Sequence, residues 1–250
     1  MSTRPPPSSA APGVTAPVRA VSFDAAGTLF HTARPVGELY ATVAARHGVD
    51  VDAVALHARF RAAFAAAPPL AFPGAPADEL RAREKAWWRD LVARVFASAR
   101  FADFDAFFAD LFAFFASPAA WRVDSDAHAL LATLRARALT ILVVSNFDAR
   151  IRSVLAALDL APLVDHVTIS SEAGTAKPDP AIFHRALADL VLEPGALVHV
   201  GDTVREDLQG AHAAGVRVVL VGGAELAAEA PDALVVTRLG EVANRLAEAR

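Results

Sequence analysis

The sequence predicts an α/β fold, a doubly wound parallel sheet carrying one all-helical insertion, and three observations lead there. Short apolar runs at residues 18–23, 140–144, 198–200 and 216–221, with a weaker one at 166–169, are each followed by a turn and a helical pattern. Continuous apolar runs of this length, bounded by Asp, Asn or Gly, suit strands buried on both faces of a parallel sheet. Between them, Ile151, Val154, Leu155 and Leu158 recur at helical spacing, as do Phe183, Ala186, Leu187 and Leu190. Finally, residues 34–119 show helical patterning and no convincing strand, which reads as a separate domain inserted just after the first strand.

In order along the chain, residues 1–17 (MSTRPPPSSAAPGVTAP) are rich in Pro, Ser and Ala and read as a flexible tail without the apolar centre of a secretory signal. Residues 18–33 and 120–250 form the core. Residues 34–119 form the helical cap, with one stripe at Val36, Leu39, Tyr40 and Val43 and a more aromatic one at Phe104, Phe107, Phe108, Leu111, Phe112 and Phe115. Pro68, Pro69, Pro73, Gly74 and Pro76 break it in the middle. Helix packing is the expected role of the aromatic stripe, ahead of a ligand surface.

Composition narrows the function. A formal net charge of -4 with no lysine-rich block invites no nucleic acid. The absence of cysteine excludes disulfides, thiolate metal sites and a cysteine nucleophile. No apolar run approaches the roughly 20 residues that span a bilayer, and the expectation is a cytoplasmic protein. Lys85 and Lys177 are the only lysines, so each is a candidate for a specific task.

Four segments carry chemistry, each at the end of an expected strand. Val21-Ser22-Phe23-Asp24-Ala25-Ala26-Gly27-Thr28 delivers a carboxylate beside a glycine, where backbone can approach a ligand closely. Such a carboxylate can attack a phosphoryl group, although for a strand-end Asp taken alone a turn or capping role is the better expectation. Ser145-Asn146-Phe147-Asp148 offers a hydroxyl and an amide to phosphate oxygens, or a cap for the next helix, the role expected of Asp148. In Ala176-Lys177-Pro178-Asp179-Pro180, Asp179 and Pro180 suit a helix start, while Lys177 can neutralise phosphate or pair with a carboxylate. Gly201-Asp202 and Asp207 supply hard oxygen donors of the kind that magnesium takes.

Taken in this order, the four segments resemble the haloacid dehalogenase-like hydrolase superfamily over residues 18–222. Gly37-Glu38-Leu39-Tyr40-Ala41-Thr42, Trp87-Trp88, Ser145-Asn146-Phe147-Asp148 and Lys177-Pro178-Asp179-Pro180 extend the resemblance to the group named haloacid dehalogenase-like hydrolase domain-containing protein 3. The resemblance implies a Rossmann-like core with a helical cap, and a magnesium-dependent phosphatase acting on a small phosphorylated metabolite. It implies Asp24 as nucleophile, forming an aspartyl-phosphate, and Lys177 as the basic residue of the site. Thr28, Ser145, Asn146 and Lys177 then bind phosphate. Asp24, the carbonyl of Ala26 and Asp202 bind Mg2+, with Asp207 nearby through water.

Ala26 departs from the pattern, because phosphatases of the superfamily carry a second aspartate there that moves protons, a contribution of about 10² to 10⁴-fold. Two other readings follow. Phosphonoacetaldehyde hydrolases resemble this chain in Asp-x-Ala-Gly-Thr and use a cap lysine against a phosphonate metabolite; Lys85 is the residue available. Alternatively, the chain is a catalytically weak regulatory protein that keeps the phosphate and metal site. Metal-free dehalogenation is disfavoured, since L-2-haloacid dehalogenases lack the Gly201–Asp207 segment. A monomer or homodimer is expected.

Overall fold

The computed structural model describes residues 17–249, so the expected tail lies almost wholly outside the described residues. The chain runs β1 (Ala20–Phe23), β2 (Phe30–Thr32), then four helices, α1 (Val36–Arg46), α2 (Ala53–Ala65), α3 (Leu80–Val95) and α4 (Phe104–Phe114). It continues through β3 (Trp121–Val123), α5 (Ala127–Ala136), β4 (Thr140–Ser145), α6 (Ile151–Ala157), β5 (His166–Ile169), α7 (Ser170–Ala173) and α8 (Ala181–Leu190). Last come β6 (Leu197–Gly201), a wide π-helical turn (Val204–Gln209), α9 (Gly210–Ala213), β7 (Arg217–Val221), α10 (Ala224–Glu229), β8 (Leu234–Val236) and α11 (Val242–Arg245).

Six parallel strands form the sheet in the order β5-β4-β1-β6-β7-β8. The first strand in sequence is therefore central, and all four of its residues are fully buried. Alternation along β1 sends Val21 and Phe23 into a core with Leu130, Leu131, Ile141, Val143 and Ile151. Ala20 belongs to the opposite core, with Leu142, Val144, Ile182, Phe183, Leu197 and Val218. Chain order reverses at β1, with β4 on one side and β6 on the other, and ligands of such sheets bind beyond the strand ends at that switch.

The sheet departs from the sequence expectation in two places. Strand β8 is a three-residue edge strand, too short for periodicity to reveal. The antiparallel ribbon β2–β3 pairs Phe30 with Val123 and Thr32 with Trp121, a contact across about ninety residues that no local pattern encodes. It stands at the two crossings into and out of α1–α4.

The helical insertion has a core of its own. Tyr40, Val43, Leu56, Leu91, Val92, Val95, Phe96, Phe107, Phe108 and Leu111 are all buried together. The aromatic stripe packs inward: Phe107 is fully buried and stacks on Phe101 with ring centroids 4.1 Å apart. Asp52 and Asp103 cap α2 and α4, accepting from Ala55 N at 2.6 Å and Ala106 N at 2.9 Å. No helix among the described residues is long and apolar enough to cross a membrane.

One helix end is strained. Val191, which terminates α8, sits at φ 52° and is 88% exposed. A β-branched residue in the left-handed region costs about 1 kcal/mol that glycine escapes. Val191→Gly should therefore raise stability by roughly 1 kcal/mol and the midpoint of thermal unfolding by about 2–4 °C in calorimetry.

Candidate active site

Asp24 follows the last residue of β1, and its N–H donates to Val200 O at 2.8 Å, so the strand ladder itself aims it out of the sheet beside β6. The chain then turns sharply: Thr28, Leu29 and Phe30 N–H groups all donate to Ala25 O. Gly27 has φ +112°, and a Cβ there would lie 2.4 Å from Asp202 Oδ2. Glycine is required both by the backbone and by the approaching carboxylate. Across the cleft the same device recurs, since a Cβ on Gly201 would lie 2.2 Å from Asp207 Cγ. Two glycines thus admit two carboxylates beside Asp24.

Lys177 joins the cluster from the loop before α8. Its Nζ donates to Asp24 Oδ1 and to Asp207 Oδ1, each at 2.6 Å, and the side chain is buried. Burial by itself would lower the proton affinity of this amine, but the two carboxylates overcome it and hold the ammonium well above its ordinary value. Lys177 is therefore a fixed cation, not a base. Its main chain is clamped by Asn146, whose Oδ1 accepts from Lys177 N at 2.8 Å and whose Nδ2 donates to Lys177 O at 2.9 Å. That Nδ2 also donates to Glu206 Oε2 at 3.1 Å. The Asn146 side chain, read from sequence as a phosphate ligand, here bonds the Lys177 backbone and Glu206.

Asp207 is bonded as well. Lys177 Nζ and His199 Nε2 reach its Oδ1, while Asp202 N, Thr203 N and Thr203 Oγ1 donate to its Oδ2. Burial would raise its pKa, yet Lys177 and the His199 hydrogen bond pull it well below the carboxylate range. With both oxygens engaged in this way, Asp207, expected from sequence near a metal through water, organises the site. Asp202 differs: Thr28 Oγ1 donates to its side chain at 3.4 Å. Burial first, then the charges of Asp24 and Asp207, push its pKa up to about 7. Asp202 is thus short of positive charge, and Asp24 shares its one ammonium with Asp207. Together with the carbonyl of Ala26, Asp24 and Asp202 could hold a hard cation that keeps several waters, and the donor set fits magnesium. Among the described residues no three His, Cys, Asp or Glu side chains converge as a metal cage.

Ser145 ends β4, buried, and Thr28 is buried beside Asp202. Ala26 is exposed at the turn. Lys85 is not brought to this cluster. It is exposed on α3 and lines a groove with Ala82, Ala86, Arg89, Asp105 and Phe108, all of them from α3 or α4. Its neighbour Glu84 is the residue that faces the core, accepting from Ala149 N at 3.2 Å and from Ser171 Oγ at 2.6 Å. Sequence reading missed Glu84 because it sits in a charged run resembling a solvated face.

Asp148 is not the helix cap expected from sequence, because Arg150 is the N-cap of α6 and no side-chain cap bond is made there. It accepts from Arg150 N at 2.9 Å, pairs with the Arg150 guanidinium at 2.6 Å, and accepts from the Trp88 indole N–H at 2.6 Å. Arg150 in turn lies 3.9 Å over the Phe112 ring. The insertion therefore meets the core directly beside the Ser145–Asn146 loop.

The raised pKa of Asp202 sets a pH dependence. In the metal-free protein the folded state keeps a proton on Asp202 between pH ~4 and ~7 that the unfolded chain has released, so stability falls as pH rises through that window. Melts in EDTA at about pH 4.5 and about pH 7.5 should show Asp202→Asn gaining on the order of 2 kcal/mol over the parent between the two conditions. An identical pH response in both proteins would refute this electrostatic account.

A family model described as haloacid dehalogenase-like hydrolase matches residues 18–215. Haloacid dehalogenase-like hydrolase domain-containing protein 3 of Mus musculus is 39% identical over 212 residues, 83% of each chain. Phosphoserine phosphatase of Thermus thermophilus is 36% identical over 118 residues, 47% of each chain. Among solved structures, L-2-haloacid dehalogenase from Xanthobacter autotrophicus superposes with a TM-score of 0.69 at 20% identity, covering 92% of this chain and 98% of that one. With a parallel sheet whose central strand delivers Asp24, and with the whole motif region matched, the chain belongs to the haloacid dehalogenase-like hydrolases.

Proposed function

We propose that this hydrolase is a magnesium-dependent phosphatase for a small phosphorylated metabolite, working through an aspartyl-phosphate at Asp24. The observation that carries the reading is the Lys177 ammonium, 2.6 Å from Asp24 Oδ1, with the Asp202 carboxylate facing it across Gly27. Such a pocket of fixed cation and unfilled carboxylates suits the three oxygens of a phosphoryl group and a divalent ion. Bound by Asp24, Asp202 and the Ala26 carbonyl, magnesium would neutralise charge between carboxylates and phosphate.

An oxygen of Asp24 attacks phosphorus, the bond from phosphorus to the leaving oxygen breaks, and the phosphoryl group stays on Asp24. Lys177 offsets the charge that gathers on the phosphoryl oxygens, aided by the Ser145 and Thr28 hydroxyls. Water then attacks the aspartyl-phosphate, releasing inorganic phosphate and restoring the carboxylate. Ala26 carries no proton to the leaving oxygen, so acyl and aryl phosphates, whose leaving groups depart without one, are the favoured substrates.

Ala26 is also the one observation favouring the second reading, a phosphate- and metal-binding regulatory protein with weak turnover. The phosphonate reading loses its support, because Lys85 faces a groove built from α3 and α4 alone.

Steady-state assays with magnesium should find acetyl phosphate and p-nitrophenyl phosphate hydrolysed, and activity lost by more than about 10³-fold in Asp24→Asn. Turnover surviving that substitution would refute the nucleophile. Ala26 is exposed, so a side chain fits there. Ala26→Asp should raise hydrolysis of alkyl phosphates by about 10²-fold and that of acetyl phosphate far less. No gain on any substrate would favour the regulatory reading.

A further inference from the structure

Beneath the site lies a buried polar chain to which the mechanism gives no task. Ser22 on β1 and His199 on β6 are partners in the strand register, and both are 0% exposed. A hydroxyl and an imidazole in the middle of a parallel sheet are costly unless paired, and each polar atom here is paired. Ser22 Oγ lies 2.9 Å from His199 Nδ1, His199 Nε2 lies 3.0 Å from Asp207 Oδ1, and that same oxygen lies 2.6 Å from Lys177 Nζ. Lys177 completes the chain at Asp24.

Directions along this chain follow from the chemistry of its ends. Ionised Asp207 can only accept, so the proton sits on His199 Nε2. In the neutral ring, which burial favours, Nδ1 is then a bare acceptor to which the Ser22 hydroxyl donates. The Phe183 ring packs edge-on at 4.8 Å and prevents the imidazole from turning. Asp207 Oδ2 is held separately by Asp202 N, Thr203 N and Thr203 Oγ1, so Oδ1 alone is shared between imidazole and ammonium.

We infer that Ser22 and His199 form a positioning pair that, by saturating Asp207 Oδ1, keeps the Lys177 ammonium balanced between Asp207 and the nucleophile Asp24. Without the imidazole N–H, Asp207 Oδ1 carries more uncompensated charge and draws the ammonium toward itself. Asp24 and the incoming phosphoryl oxygens then lose part of their cation. His199 touches no substrate; it acts through Asp207. The inference deepens the phosphatase reading and rests on it for its kinetic arm only.

Nitrogen NMR of the resting protein tests the pair without turnover. Long-range proton–nitrogen spectra should show His199 as the neutral Nε2–H tautomer. Only two lysines are present, so the shielded Lys177 ammonium resonance is assigned by comparison with exposed Lys85. That resonance should shift in His199→Phe and return toward the parental position in His199→Gln, whose amide can still donate to Asp207. With acetyl phosphate, His199→Phe should lower kcat about tenfold with KM changed less than about threefold, and His199→Gln should recover most of the loss. An Nδ1–H tautomer or an imidazolium at neutral pH overturns the inference, as does a folded His199→Phe protein with kcat within about twofold of the parent. If Asp24→Asn is inactive while that variant is fully active, the phosphatase reading stands and the positioning pair falls. The tautomer measurement needs no variant, so it decides even if His199→Phe does not fold.

Discussion

One ammonium group, that of Lys177, holds together a site that its carboxylates would otherwise force apart. Asp24, Asp202 and Asp207 approach one another at the ends of β1 and β6, where burial weakens the solvent's ability to screen them. Lys177 bonds two of the three at 2.6 Å and leaves the third with its proton affinity raised. The consequences spread outward. Gly27 and Gly201 exist to let carboxylates come this close, and Asn146 grips both ends of the Lys177 peptide to keep the amine in place. Buried charges of this sort add little net stability, because desolvation opposes their attraction. Their value lies in a preorganised field that need not rearrange when a charged group arrives.

The second constraint is where the insertion touches the core. Two buried carboxylates exchange partners across that seam: Glu84 of α3 takes donors from Ala149 and Ser171, and Asp148 of the core takes the Trp88 indole of α3. Glu84 has its pKa raised chiefly by burial, although the Ser171 hydrogen bond works the other way. Ser170 adds a bond to Leu70 O at 2.7 Å. These contacts begin two residues after Asn146, so the position of the insertion and the shape of the phosphate-side loop are mechanically joined.

Ala26 bears on the proposed function, because its methyl group cannot move a proton. The Asp24 cluster holds the Lys177 cation, two close glycine turns and, in Asp202, a carboxylate that the cation does not bond. A main-chain carbonyl at position 26 serves a metal as well under a methyl as under a carboxylate, whereas proton transfer needs the side chain itself. On the proposed function, Ala26 bears on which leaving groups depart easily, more than on whether a phosphoryl group can be held.

Sequence by itself determined five of the six parallel strands and the identity of the residues at their ends. Apolar runs ending in Asp24, Ser145 and Asp202 are local signals, and burial on both faces leaves such runs no choice of environment. The same holds for the helical stretch between residues 36 and 114 and its inward aromatic stripe. Tertiary structure alone decided the division of labour among these residues. Asp207 turned inward to Lys177 and His199, Asn146 took the Lys177 backbone, and Glu84, not Lys85, turned toward the core. Each depends on a partner 30 or more residues away or on the face a helix presents, except the His199 contact, which joins β6 to the turn that follows it. The polar residues Ser22 and His199 inside apolar strands were the visible trace, since a buried hydroxyl and imidazole must be answered by partners that only the folded chain supplies.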